Sequence, residues 1–439
     1  MELVTPKAHT RQTASELKKQ VGTEVQVTGA VYRVRELSSN FCFIIIRTDR
    51  ELIQCKLEGS EHRIDPRQYA EGNYITATGR CVEEKKSPHG FEISIQKIEV
   101  LSKPAAEMPF SINQRELNIG LDINLDARPI SLRHPGQRAI FKIQAAIAEL
   151  FGEALSDIGF TKIHTPKIVF AGAEGGANVF CLDYFGRKVF LAQSPQFYKQ
   201  MMVGVFGRVY ESGPVFRAEP HETARHLNEY TSMDFEMGPI SSFTDIMEVE
   251  TYCLRHILNR LPEICLTELE LLKVTLPYII EIPAIRFSDA IEIITKKHTI
   301  TDRDDLDATS EQVLCKHVKQ EIGSDFVFVT HYPTTKRPVY AMEDPNNPEV
   351  TLSFDLLYNG LEITTGGQRI HDYSMQVEKM KRRGLNPEDF ESYLQIHKYG
   401  MPPHGGLGLG LERLTKQLLG LQSIKEACLF PRTMNRVTP

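Results

Sequence analysis

No stretch of the 439 residues reaches the ~18–20 consecutive apolar positions that cross a bilayer, and the longest, from Phe41 to Ile46, is strand-sized. The N-terminal segment MELVTPKAHTRQTASELKK has no apolar core of a secretory signal. The eight cysteines are scattered, without CxxC or zinc-finger spacing. These absences exclude a membrane-spanning chain and a disulfide scaffold, and the thiols read as reduced, mostly buried groups of a cytoplasmic protein. GxGxxG and GxxxxGK[ST] are missing, as is regular βαβ alternation, so Rossmann and P-loop readings have no support. A dominant charge is missing too. The formal net charge is −6, and residues 1–105 hold 16 Lys and Arg against 14 Asp and Glu, so the acid surplus lies beyond them. A nucleic-acid partner would therefore be held by a local groove and not by bulk charge.

What is present is an ordinary globular composition, 41% hydrophobic and 25% charged, in a chain long enough for two or more domains. From about Val21 to Leu101 the runs VQVTGAVYRVREL, FCFIIIRT, LIQCKLE, YITATGRCV and FEISIQKIEVL are separated by turn material. Five short strands predict a small Greek-key barrel of the oligonucleotide-binding type. Residues 105–134 carry Pro and Asn with few periodic apolar positions and read as a linker. From Pro135, GQRAIFKIQAAIAELFGEALSDIGF has helical spacing and ends at Gly159, before the strand-like FTKIHTPKI.

Three segments concentrate chemistry. GPVFRAEPHETARHLNEYTSMDFEM places Arg217, Glu219, Arg225, His226, Glu229, Asp234 and Glu236 between apolar positions, which predicts a hairpin with one charged face. A solvated face with ion pairs is the structural alternative, but several inward charges normally bind something. In SFDLLYNGLEITTGGQRIHD a turn at Asn359-Gly360 would let Asp355 meet Glu362, and with the Thr365 hydroxyl they form a hard-oxygen set suited to Mg²⁺ bridging phosphates. Alone, that segment would read as two surface acids beside a turn. PPHGGLGLGLERLTKQLLG joins glycines that permit close backbone approach to a helix from about Leu411, with Arg413 at its start. A tightly packed helix entry is the simpler reading of the glycines.

Taken together, these segments resemble the signature motifs of class II aminoacyl-tRNA synthetases. Pro135 to Pro166 resembles motif 1, FRAE with RHLNEY resembles motif 2, and GLGLGLERL resembles motif 3. The words AEGGANVF, LAQSPQFYKQ, ITTGGQRIHD and LFPRTMNRVTP are similar to aspartyl-tRNA synthetases of the archaeal and eukaryotic type. The resemblance spans nearly the whole chain, without the large insertion of the bacterial type or the lysine-rich extension of many eukaryotic relatives. It implies an α+β protein: an OB-fold anticodon-binding barrel over 1–104, a linker over 105–134, and a class II catalytic domain, an antiparallel sheet flanked by helices, over 135–439.

Roles follow from that resemblance. Arg217 and Arg413 would be catalytic, stabilising phosphate charge as the aspartate carboxylate attacks ATP. ATP would be held by Arg217, Glu219, His226, Tyr230, Glu362 and Arg413, with Mg²⁺ at Asp355, Glu362 and Thr365. L-aspartate would be bound by Glu174, Ser194, Gln196, Lys199, Asp234 and Arg369, the two cations gripping its distal carboxylate. Asparagine would face those donors with an NH₂ group, and asparaginyl enzymes usually lack the lysine of QSPQxYKQ. The barrel residues Tyr32, Phe43, Gln54, Pro88 and Glu92 coincide with positions that read the anticodon of tRNA-Asp by stacking and hydrogen bonding. A core-strand residue is the plain alternative for Phe43. Charging of tRNA-Asn turns on Tyr32 and Pro88, which point in opposite directions. Motif 1 implies a homodimer, and no membrane partner is expected.

Two rival functions are disfavoured. A paralogue that makes an adenylate or asparagine without charging tRNA would lack the barrel, and a non-catalytic RNA-binding protein would have lost Arg217, Asp234 or Arg413. Three departures stand out: Glu222 where Asn is usual, Thr365 where Ser is usual, and one residue fewer between Lys199 and Arg217.

Overall fold

Residues 13–49, 51–59, 65–170, 178–220, 222–300 and 302–439 are described by a computed structural model. The chain divides into two compact units, one of residues up to Ile119 with Pro129–His134, the other of Gly120–Arg128 with Pro135–Pro439.

In the first unit all five expected strands form: β1 (Glu24–Ser38), β2 (Phe41–Arg47), β3 (Leu52–Glu58), β4 (Tyr74–Glu83) and β5 (Phe91–Ser102). They close into a barrel in the order β1-β2-β3-β5-β4, with β3 and β5 parallel and the other neighbours antiparallel. Period-two alternation sends Cys42, Ile44, Ile46, Ile53, Cys55, Ile75 and Ile93 inward. Phe43 therefore points outward, which rules out the core alternative for its ring.

The second unit is built on an eight-stranded sheet. Its strands are β6 (Thr161–Lys162), β7 (Arg208–Phe216), β8 (Glu229–Met237), β9 (Ala284–Arg286), β10 (Phe326–Thr330), β11 (Ser353–Tyr358), β12 (Leu361–Arg369) and β13 (His404–Gly410), ordered β9-β10-β11-β12-β13-β8-β7-β6. Only the outer pairs β9/β10 and β6/β7 are parallel. One face of the sheet is covered by the helices α1 (Pro135–Asp157) and α2 (Thr244–Leu272). In α1 the buried positions Ile140, Ile143, Ile147, Leu150, Phe151 and Ala154 form a single stripe, as the spacing predicts. The run FTKIHTPKI does not make one strand. Thr161–Lys162 pairs with β7, Ile168–Val169 joins a separate three-stranded sheet, and Pro166 stands between them.

The segment read as a linker carries two short helices, Leu121–Asp126 and Arg128–Ser131. Arg128 is fully buried and donates to Asn124 Oδ1 at 2.9 Å and to the carbonyls of Glu426, Cys428 and Leu429 at 3.1, 2.7 and 3.0 Å. A charge so deep is tolerated because its fork is met by several oxygens.

Glu250, on α2 beneath the sheet, is buried, and neither carboxylate oxygen has a hydrogen-bond partner among the described residues. Burial raises its carboxyl to about 8, with the Thr364 hydroxyl beside it and Asp355 adding repulsion. A raised carboxyl stabilises the fold fully below its unfolded value, and that contribution is lost as pH rises through the folded one. Thermal stability should therefore fall between about pH 5 and 8. E250Q, which cannot ionise, should melt above the wild type at pH 8.5 and close to it at pH 5. Parallel wild-type and E250Q melting curves would refute the assignment.

Candidate functional site

The register of the sheet assembles the site. β7 and β8 form the predicted hairpin, with Glu211 opposite Asp234 and Phe216 opposite Glu229. Across β8, β13, β12 and β11 one row runs Asp234, Gly408, Thr365, Asp355. Directly paired residues share a face, so segments more than a hundred residues apart open on one cavity of about 590 Å³. Ser194, Gln196, Lys199, Arg217, Tyr230, Asp234, Asp355, Glu362, Thr365, Arg369 and Arg413 all line it. A smaller recess shares Arg217, Tyr230 and Arg413 and adds Glu219 and His226. Glu174 lies outside the described residues.

The alternation of Gly and Leu in β13 has a steric cause. Leu407 and Leu409 enter the core, whereas a Cβ at Gly406 would lie 2.1 Å from Phe235 O and 2.3 Å from Glu236 Oε2. At Gly408 it would stand 3.1 Å from Asp234 Oδ1. Glycine there makes room for the acids of β8.

Those acids organise the floor of the cavity. Lys199, 1% exposed, donates to Asp234 Oδ1 at 2.8 Å and to Leu407 O at 2.7 Å, and lies 3.3 Å from Glu236 Oε2. Arg369 donates Nε to Glu236 Oε1 at 2.8 Å and Nη2 to Gly406 O and Gln196 Oε1 at 2.8 and 3.3 Å. Its guanidinium lies 5.3 Å from the Tyr340 ring centre. Burial alone would raise the Glu236 carboxyl, but Arg369 and Lys199 hold it below its ordinary range. Asp234 Oδ2 has no hydrogen-bond partner among the described residues. Ser194 Oγ accepts from Gln196 N at 3.0 Å. Two cations are thus fixed side by side on a buried acid framework, an arrangement with the chemistry to bind a small carboxylate.

At the other end, Asn359 and Gly360 take positive φ, as the Asn-Gly turn requires. A β-bulge in β12, between the pairs Leu356–Thr364 and Leu357–Glu362, shifts parity so that Thr365 Oγ1 reaches Glu362 Oε1 at 3.0 Å. Arg413, in the first turn of α3 (Leu411–Leu419), donates to Glu362 O at 2.8 Å and lies 3.3 Å from its Oε1. Burial and the facing Glu362 push the Asp355 carboxyl up in spite of Arg337, while Arg413 and Arg337 overcome burial to hold Glu362 below its ordinary range.

Two family models match the chain: "tRNA synthetases class II (D, K and N)" over residues 120–434 and "OB-fold nucleic acid binding domain" over residues 25–101. The chain belongs to the class II tRNA synthetases. It is 43% identical to the aspartate--tRNA(Asp/Asn) ligase of Deinococcus radiodurans, over 98% of this chain and 99% of that protein. Identity to the aspartate--tRNA(Asp) ligase of Pyrococcus abyssi is 38%, over 97% and 99%. Among solved structures, asparaginyl-tRNA synthetase from Pyrococcus horikoshii with asparaginyl-adenylate superimposes with a TM-score of 0.90 at 30% identity, covering 98% and 99% of the two chains.

Asp355 Oδ1 is buried without a hydrogen-bond partner among the described residues, and the Glu362 carboxylate and Thr365 hydroxyl lie beside it. No cluster of three or more His, Cys, Asp or Glu able to hold a metal occurs among the described residues. Two carboxylates and a hydroxyl suit a hard cation that takes its remaining oxygens from phosphate and water.

On the synthetase barrel, Gln54 Nε2 donates to Glu92 Oε2 at 3.1 Å, and Lys56 Nζ lies 3.2 Å from Glu92 Oε1. Phe43 pairs with Lys56 on one side and Arg35 on the other, and Ile45 with Gln54 and Arg33, so these side chains share the outer face. Tyr32 is buried, its hydroxyl donating to Ile112 O at 2.6 Å, whereas Pro88 is exposed.

Several partners around the synthetase site escaped the sequence reading, which names Glu236, Arg225 and Glu222 without saying what they meet. Glu236 was legible, since it follows Asp234 by two on a strand and must share its face. Arg225 pairs with Glu311, whose carboxyl burial raises to about 7, and Glu412 accepts from Thr231 N through both oxygens at 3.1 and 3.0 Å. Glu222, the departure in motif 2, pairs with Lys425, and the neighbouring segment adds the bonds Ile424 N to Ala224 O and Asn228 N to Arg432 O at 2.9 and 2.8 Å. Nothing in the local sequence ties these partners together.

Proposed function

We propose that the synthetase activates L-aspartate with ATP to aspartyl-adenylate and pyrophosphate, then transfers the aspartyl group to the terminal ribose of tRNA-Asp. The observation that carries this reading is the pair Lys199 and Arg369, buried and fixed on Asp234 and Glu236 at the cavity floor. An aspartate carboxylate can accept from both, whereas the asparagine amide would present a donor to donors. Similarity of fold to an asparaginyl enzyme does not decide between the two amino acids, because fold does not fix specificity. Glu174, Ser194 and Gln196 complete the amino-acid site. Tyr230, Glu219 and His226 hold the nucleotide base and phosphates, with Arg217 and Arg413 neutralising phosphate charge. Mg²⁺ held by Asp355, Glu362 and Thr365 supplies further neutralisation when bound. Reaction depends on positioning and electrostatics, without a covalent side-chain intermediate. Aspartate-dependent ATP–pyrophosphate exchange, run against asparagine with and without tRNA, tests this. Equal exchange with asparagine would refute it.

Residues 1–104 act as the anticodon-binding domain, 105–134 as the hinge and 135–439 as the catalytic domain. The outer barrel face, with the Phe43 ring among Arg33, Arg35 and Lys56, favours an unstacked single strand. F43A should weaken tRNA binding by about 1–3 kcal/mol, measured by filter binding, and leave pyrophosphate exchange unchanged. Unaltered tRNA affinity would remove Phe43 from the site. The proposal extends to tRNA-Asn, because Tyr32 is held in the barrel by its bond to Ile112 O, and Pro88 has no backbone N–H with which to enforce a base. Charging the two transcripts side by side decides it, and a hundredfold preference for tRNA-Asp would overturn relaxed recognition. Homodimerisation through the motif 1 segment is supported by the exposed Ile168 and Phe170 that follow it. Cytoplasmic location is supported by the free cysteines, six of the eight buried, and no helix among the described residues is long and apolar enough to cross a membrane.

A further inference from the structure

A cation that belongs to none of the three motifs stands against the Asp355 edge of the cavity. Arg337 lines that cavity with its side chain only 9% exposed, and its Nη2 donates to Asp355 Oδ2 at 2.8 Å. The guanidinium lies 3.9 Å from the centre of the Tyr332 ring. The preceding turn, Thr334–Lys336, is itself tied down: Arg383 donates to the carbonyls of Thr334, of Thr335 at 3.3 Å and of Arg337 at 3.1 Å. Asp355 has its second oxygen, Oδ1, buried and without a hydrogen-bond partner among the described residues. Directly across the strand pair stands Thr365, whose hydroxyl donates to Glu362 Oε1.

A carboxylate on a strand retains one soft torsion, which decides which oxygen faces the cavity. A short charge-assisted bond to one oxygen removes that freedom, and the aromatic ring under the guanidinium holds the donor in place. We infer that Arg337 is a positioning residue for the divalent cation: by engaging Oδ2 it leaves Oδ1 as the oxygen that would serve a cation accompanying ATP, and it contributes no ligand itself. This rests on the metal reading of Asp355, Glu362 and Thr365. Had Arg337 only a structural role, its loss would lower stability without altering the linkage between metal and nucleotide.

That linkage can be measured without turnover. α,β-Methylene-ATP is titrated calorimetrically into the full-length protein in EDTA and in saturating Mn²⁺, and the ratio of the two dissociation constants gives the contribution of the metal. R337M should reduce the ratio about tenfold or more, the usual effect of losing a hydrogen-bond partner of a metal-binding carboxylate. R337K, which keeps the charge but not the fork, should recover part of it, and also serves if R337M does not fold. D355N should abolish the tightening. A wild-type ratio in R337M, or in R337K where only that variant folds, beside a collapsed ratio in D355N overturns the role of Arg337 alone. A wild-type ratio in D355N overturns the metal reading, and the role of Arg337 with it.

Discussion

Replacing Arg217 or Arg413 by alanine is expected to lower aspartate-dependent ATP–pyrophosphate exchange by about 10²-fold or more while leaving the fold intact. The two arginines come from segments 196 residues apart in the chain and line one cavity. Neither lies deep in a hydrophobic core, the Arg217 side chain being 41% exposed and that of Arg413 29%, so truncation should cost little stability. In the proposed reaction their value would lie in fixed positive charge beside the phosphate oxygens where negative charge develops, a contribution water cannot match because it would have to reorganise during the reaction. Arg413 has a second duty, since it holds the Glu362 carboxylate through Nη1. R413A should therefore also raise the divalent cation concentration needed for half-maximal rate, and R217A should not. Melting temperatures and exchange rates measured on the same preparations check both statements, and normal exchange in either variant would remove that arginine from the chemistry.

Arg369→Gln should be the most damaging single change at the floor of the cavity. It removes two good donors, leaves Glu236 fully buried with Lys199 as its remaining cationic partner, and deletes half of the proposed carboxylate clamp. Breaking a buried ion pair from one side costs about 3–5 kcal/mol. A loss of that size in recognition would lower kcat/KM for aspartate by about two to four decades. The two consequences separate in the double variant R369Q/E236Q. Neutralising Glu236 as well should return much of the thermal stability, because no unpaired acid is left behind, but should not restore the use of aspartate. An R369Q enzyme with an ordinary aspartate KM would show that the distal carboxylate is read elsewhere.

Legibility of the site followed the range of the interactions. Hairpin periodicity placed Asp234 on a charged face, and Asn359-Gly360 marked the turn of the separate hairpin that carries Asp355 and Glu362, because both signals lie within a few residues. The same local logic could not foresee the bulge that turns Glu362 to the side of Thr365, since one extra residue in a strand reverses parity without any compositional mark. Phe43 sat in an unbroken apolar run, FCFIII, where alternation is invisible; only closure of the barrel assigned Cys42, Ile44 and Ile46 to the interior and Phe43 to the outside. Arg128, in a segment read as linker, gave no sign that it would be buried among the carbonyls of residues 426, 428 and 429.

By itself, then, the sequence determined the composition of two domains, the barrel strands, the motif 1 helix, the family, and which residue types would carry the chemistry. Those properties rest on short-range periodicity and on ordered words whose spacing survives without coordinates. Tertiary structure decided which charges meet: Glu236 between Lys199 and Arg369, Arg225 with Glu311, Arg337 on Asp355, and glycine at 406 and 408 to make room for the acids of β8. The physical reason is that a buried charge is tolerable only beside a counter-charge or enough hydrogen-bonding oxygens. Around this sheet the counter-charge sits on a strand, helix or loop far away in the chain, brought there by the tertiary fold and not by any neighbouring residue.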